Sequence, residues 1–117
     1  MNERKIELYE TTDGKVPVQR FLDDLPRAHK AKAFQEIELL ALFGADLKMP
    51  HAKHLDGKLW ELRIMAQGDI SRIIYFIPTQ EKIVLLNGFI KKTNKTPPTE
   101  LNRAKKYLSD WESRFAK

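Results

Sequence analysis

The chain has 117 residues, a net charge of +5, a pI near 9.5 and no cysteine. That length suits one domain, read here as residues 1–117, with core enough to need neither a disulfide nor a structural metal. Without thiols there are no disulfide scaffolds, cysteine nucleophiles, cysteine-ligated zinc sites or iron–sulfur clusters, and the composition suits a reducing cytoplasm. The N-terminus MNERKIELYE lacks an apolar leader core, and no apolar run nears the roughly 20 residues a bilayer crossing needs. The expectation is a cytoplasmic protein with no membrane partner.

RKIELYE, at the N-terminus, alternates Ile6 and Leu8 with charged neighbours and predicts a strand with one wet face. TTDG is a turn. Val18, Phe21, Leu22 and Leu25 then fall at i, i+3, i+4 and i+7, a helical stripe with Pro17 near its start and Pro26 at its stop. A second helix spans Arg27 to Phe43, with Ala33, Phe34, Ile37, Leu40 and Ala41 as its inner face and Gly44 as its close. The short joint between the two suggests an αα-hairpin. The segment MPHAKHLDG reads as a basic loop.

The period then changes from helical to alternating. KLWELRIMA alternates through Trp60, Leu62 and Ile64; ISRIIYFI and IVLLNGFI follow after short turns, giving a three-stranded antiparallel meander. The first strand could pair at an edge of this meander or beside its third run. A last helix opens at Pro97–Pro98, with Thr96 as the expected N-cap and Leu101, Ala104, Leu108, Trp111 and Phe115 on one face. Trp60, Trp111, Phe21, Phe34, Phe43 and Phe115 all stand at core-like spacings, and His29 is expected in solvent. The order β–α–α–β–β–β–α is an α+β fold.

Charge is spread unevenly. Residues 1–47 hold seven basic and nine acidic side chains, whereas residues 48–106 hold twelve basic and five acidic ones. This asymmetry favours an anionic partner such as nucleic acid. There is no GxSxG elbow, P-loop or GxGxxG fingerprint, and the His51/His54 pair lacks the context of a metal site, so neither metal nor cofactor is expected.

The arginines of the meander carry more information. Alternation puts Glu61 and Arg63 on one face, opposite Trp60, Leu62 and Ile64, and puts Arg72 with Ile74 and Phe76. Arginine inside an apolar strand must lie near a sheet end, pair with an acid such as Glu61, or line a wet cleft. Lys91 and Lys92 end the last strand and point to opposite faces if it persists that far; Lys58 could join from the preceding turn. Cations of this kind suffice for metal-free RNA cleavage. The ribose 2′-OH is itself the nucleophile, arginine forks hold phosphate oxygens, and a lysine crowded by cations can act as a base.

HLDGKLWELRI, SRIIYF and IVLLNGFIKKTNKTPPTELNRAKKY, taken together and in order, resemble the RelE/HigB-type toxins of bacterial toxin–antitoxin modules, in particular their phage-derived Gp49-like branch. The quoted motifs span roughly Lys53 to Tyr107, and the element order extends the likeness over the whole chain. The resemblance implies an endoribonuclease, an mRNA interferase that inhibits translation by cutting message in the ribosomal A site. It also implies a cognate helix-turn-helix (HigA-like) antitoxin that neutralises it in a hetero-oligomer. It assigns Arg63 and Arg72 to the scissile phosphate, Lys92 or Lys91 to proton transfer or charge stabilisation, and Lys58, His54 and Lys95 to RNA binding. One departure stands out. Many such toxins carry a tyrosine shortly after the closing basic residues, and TNKTPP has none, which leaves Tyr75 and Tyr107 as substitutes out of position. ParE-type relatives on the same scaffold act on gyrase, so a non-nuclease toxin, or a nucleic-acid-binding module without catalysis, stands as the alternative.

Overall fold

The computed structural model describes residues 3–91 and 95–116. Its elements are β1 (Lys5–Leu8), α1 (Pro17–Asp24), α2 (Arg27–Phe43), β2 (Ala52–Asp56), β3 (Leu59–Ala66), β4 (Asp69–Thr79), β5 (Lys82–Lys91) and α3 (Pro98–Phe115). They form one sheet in the order β1-β5-β4-β3-β2. β2 through β5 pair antiparallel in sequence, and β1 lies parallel to β5. This is the expected α+β architecture with one strand more.

Alternation sorts the strands onto two faces. Leu62, Ile64, Ile73, Tyr75, Ile83 and Leu85 pack beneath α1 and α2 with Val18, Leu22, Ala33 and Leu40. Leu59, Ile74, Phe76, Val84, Leu86 and Phe89 meet Ala104 and Trp111 of α3 on the other face. A bulge on β5 at Leu86, where Ile74 opposes Asn87 but Tyr75 opposes Leu85, turns both Leu86 and Asn87 toward α3. Gly88 then sits under the Phe21 ring, and a Cβ there would collide with that ring. The glycine is what lets α1 lie this close to β5.

α1 ends as Pro26 requires, and α2 ends at Gly44, whose φ of 52° suits a residue without a Cβ and whose N–H donates to the Leu40 carbonyl.

Several sequence expectations need correction. The segment read as a basic loop contains β2, an edge strand whose only apolar residues are Ala52 and Leu55, so the hydrophobic pattern was too thin to mark it. The meander therefore has four strands. Phe34, Phe43 and Phe115 are 49%, 48% and 57% exposed, although helical spacing placed them in the core. α2 turns His29 and Glu36 inward instead: His29 is only 3% exposed, its Nδ1 lying 3.2 Å from the Ser71 hydroxyl. Glu36 receives His51 at 2.8 Å and Lys32 at 3.5 Å, and these partners offset its burial. Thr96 is not the N-cap of α3. Pro97 takes that position, and the Thr96 side chain is drawn away to Glu61.

Candidate functional site

β3 and β4 place Arg63 and Arg72 directly opposite one another. Both stand on the α3 face, because Glu61 is opposite Ile74 and Arg72 is opposite Phe89. α3 packs on this face over Leu59, Ile74, Phe76, Val84, Leu86 and Phe89, and neither arginine belongs to that apolar cluster.

Arg72 is 4% exposed and Glu61 is fully buried. A guanidinium Nη1–H of Arg72 donates to Glu61 Oε2, and the Thr96 hydroxyl donates to Glu61 Oε1 at 2.9 Å. Of the options that the sequence left open, Arg72 thus takes the acidic partner. Burial pushes the Arg72 guanidinium below its ordinary pKa. The adjacent carboxylate opposes that, and arginine stays charged at neutral pH in either case. Glu61 binds three pieces of chain together: its own strand β3, β4 through Arg72, and the approach to α3 through Thr96.

Arg63 is half-buried. It has no carboxylate partner among the described residues, and its Nη1 rests 3.8 Å from the Met49 sulfur. The Nε–H groups of Arg63 and Arg72 are both buried and have no hydrogen-bond acceptor among the described residues. Two neighbouring guanidinium groups with unanswered donors on one face favour an anion there.

The remaining predicted residues fall into two sets. β5 runs to Lys91, whose backbone lies opposite Ile70, one step of alternation beyond the Arg72–Phe89 pair. Lys95 is exposed and directly precedes Thr96, whose hydroxyl is held by Glu61. Lys92 lies outside the described residues. His54 and Lys58 are held elsewhere. His54 Nε2 lies 2.8 Å from the Gly57 carbonyl oxygen, and the ring meets Trp60 edge-on. Lys58 lies 2.6 Å from Glu112 near the far end of α3, and five strand steps from Arg63 amount to about 16 Å. Neither substitute tyrosine is near the arginines. Tyr75 is buried beneath α1 and α2, which pushes its hydroxyl pKa well up, and Tyr107 stacks on Tyr9 at 4.7 Å. Among the described residues no three His, Asp or Glu side chains gather as metal ligands.

The sequence reading missed two contributors. Lys53 is exposed on β2 opposite Glu61, hence on the arginine face; only recognition of β2 as a strand could have placed it. The role of Thr96 had no local signal, since its partner is 35 residues away.

A strand, two helices, a mainly antiparallel sheet and a C-terminal helix make an architecture compatible with the RelE/HigB-like toxin class. The chain belongs to the phage-derived Gp49-like family, one of RelE/HigB-like toxins, whose sequence model matches residues 20–109. That span runs from α1 into α3 and contains every site residue discussed above. No curated protein matches the chain in sequence. No helix among the described residues is long and apolar enough to cross a membrane.

Proposed function

We propose that the chain is the toxin of a toxin–antitoxin pair and a metal-independent endoribonuclease that cuts mRNA on the ribosome. The observation that carries this reading is the cross-strand pair Arg63 and Arg72, each with a buried Nε–H lacking an acceptor among the described residues. Family membership supports the toxin role and a cognate antitoxin partner, for which a HigA-like helix-turn-helix protein is the candidate.

In this reading the 2′-OH of the substrate attacks the adjacent phosphorus and the 5′-oxygen leaves. One proton departs the 2′-OH and one reaches the 5′-oxygen. Arg63 faces the phosphate directly, and Arg72, buried against Glu61, adds its positive charge from beneath. Lys91, the last residue of β5, or Lys92, the next in sequence, is the candidate for proton transfer. A lysine surrounded by cations releases its proton more readily, which suits that task. Lys53 and Lys95 extend the cationic surface, and His54 and Lys58 hold RNA only if it reaches the β2–β3 hairpin.

The test is to map mRNA ends after induction in cells. The parent is expected to arrest growth and leave fragments cut within codons; Arg63→Ala, which breaks no ion pair, should remove both effects. Intact message in a growth-arrested culture would overturn the nuclease reading. The sealing of Arg72 against Glu61 favours a second reading, in which the basic face binds without cutting, as in a gyrase-directed toxin. That reading predicts a DNA-damage response with message intact.

A further inference from the structure

β5 is ten residues long, yet β1 pairs only with its first four, Lys82–Leu85. The Tyr9 N–H donates to the Leu85 carbonyl at 2.9 Å, and the chain then turns away through the Thr11–Lys15 bond. β4 occupies the other side of β5 as far as Lys91. Asn87–Ile90 is therefore a sheet edge among the described residues. It floors a cleft of about 560 Å³ between α1 and α3, walled by Val16, Phe21, Leu25 and Tyr107. Unpaired edge backbone is a template for another strand, and proteins usually guard it with charge or proline. Asn87–Ile90 has neither, and Ile90 is 52% exposed.

Two further observations indicate what fits there. The Asn87 amide donates from Nδ2 to the Glu100 carbonyl at 3.3 Å and to Glu100 Oε1 at 3.1 Å. Both partners are acceptors, which fixes the amide's orientation. Its Oδ1 is then left buried without a donor among the described residues. A peptide brings N–H donors to such an acceptor, whereas a phosphate backbone brings acceptors. The cleft is also lined by Lys15, Arg20 and Arg103 against one carboxylate, Asp24. Lys15 touches Asp13 only at 3.8 Å in solvent, Arg103 reaches Glu100 at 3.1 Å, and Arg20 has no ion-pair partner among the described residues.

We propose that this cleft docks an extended, acidic segment of a partner protein, which adds to β5 as a further strand. Alternate apolar side chains of that segment enter between Phe21 and Tyr107, and its carboxylates meet Lys15 and Arg20. The mode is strand addition, in which main-chain bonds supply affinity and alternate side chains supply selectivity. It goes beyond the nuclease reading and does not depend on it.

The experiment titrates the full ¹⁵N-labelled chain with an end-capped peptide of alternating valine and glutamate, following amide hydrogen exchange over Gly88–Ile90, where alternate N–H groups face the open edge and the others face β4. Exchange at the edge-facing amides is expected to slow by about tenfold or more, equivalent to ~1.4 kcal/mol. Replacing glutamate by lysine in the peptide, or Lys15→Glu with Arg20→Glu in the protein, should weaken binding by about tenfold with the melting temperature little changed. N-methylating the peptide should abolish binding. Four outcomes overturn the proposal: no binding at millimolar peptide, binding that leaves these amides unprotected, protection by a short RNA in place of the peptide, or self-association of the free chain through this edge. None of them bears on mRNA cleavage, so the two readings stand or fall separately.

Discussion

At the scale of single residues the decisive group is Glu61. Its carboxylate is fully buried, and its two oxygens are divided between Arg72 and Thr96. Removing one partner of a buried pair leaves the other charge uncompensated, which typically costs 3–5 kcal/mol, whereas replacing both by apolar groups is often close to neutral. Arg72→Ala and Glu61→Ala are therefore each expected to lose about 3–5 kcal/mol in urea denaturation, and Glu61→Leu with Arg72→Met to recover most of it. If the double variant were no more stable than the singles, Glu61 would not be compensating Arg72. The prediction also governs how activity data are read. A dead Arg72→Ala variant can report a collapsed sheet end, whereas a folded double variant isolates the guanidinium's chemical role. The sequence disclosed that Glu61, Arg63 and Arg72 are strand residues and which share a face, because strand alternation is a local rule. It did not disclose which arginine the acid takes, because that depends on cross-strand register and on Thr96, 35 residues from Glu61.

At the scale of elements, legibility followed the strength of the periodic signal. β3, β4, β5 and both bounding prolines of α1 could be read because apolar alternation or a backbone-restricted residue marks them. β2 could not, since an edge strand with two apolar residues has the composition of a loop. α2 misled in another way. Its apolar residues are spread around the helix, so spacing could not tell that His29 and Glu36 face the sheet while Phe34 faces solvent. The fit of α1 to the sheet turns on Gly88, again invisible as a pattern. Gly88→Ala would drive a methyl into the Phe21 ring, and overpacking of this kind typically costs 1–3 kcal/mol. The expected result is a loss of about 1–3 kcal/mol, largely relieved by adding Phe21→Leu, as read by thermal denaturation of the single and double variants. An additive double variant would mean that α1 does not rest on Gly88.

At the scale of the whole molecule, one sheet carries two different faces. α1 and α2 close one of them with a nearly apolar core, and α3 closes the other only in part. Beside the apolar cluster under α3, the same face carries Lys53 exposed, Arg63 half-buried and Arg72 buried beneath. The basic excess of residues 48–106, apparent from composition, is thereby given a location, which composition could not supply. A cationic face that binds single-stranded RNA releases condensed counterions, so the logarithm of affinity should fall linearly with the logarithm of salt concentration. Each phosphate contact contributes about 0.7 to that slope on a single strand. Arg63→Ala and Lys53→Ala should therefore each flatten the slope by about 0.7, and the pair by about 1.4, as measured by anisotropy of a labelled oligonucleotide over a salt series. Lys58→Ala should leave it unchanged, because that ammonium is held by Glu112 of α3. A slope that responds to Lys58 and not to Lys53 would move the RNA track from the end of the sheet to the hairpin, and would take Arg63 out of it.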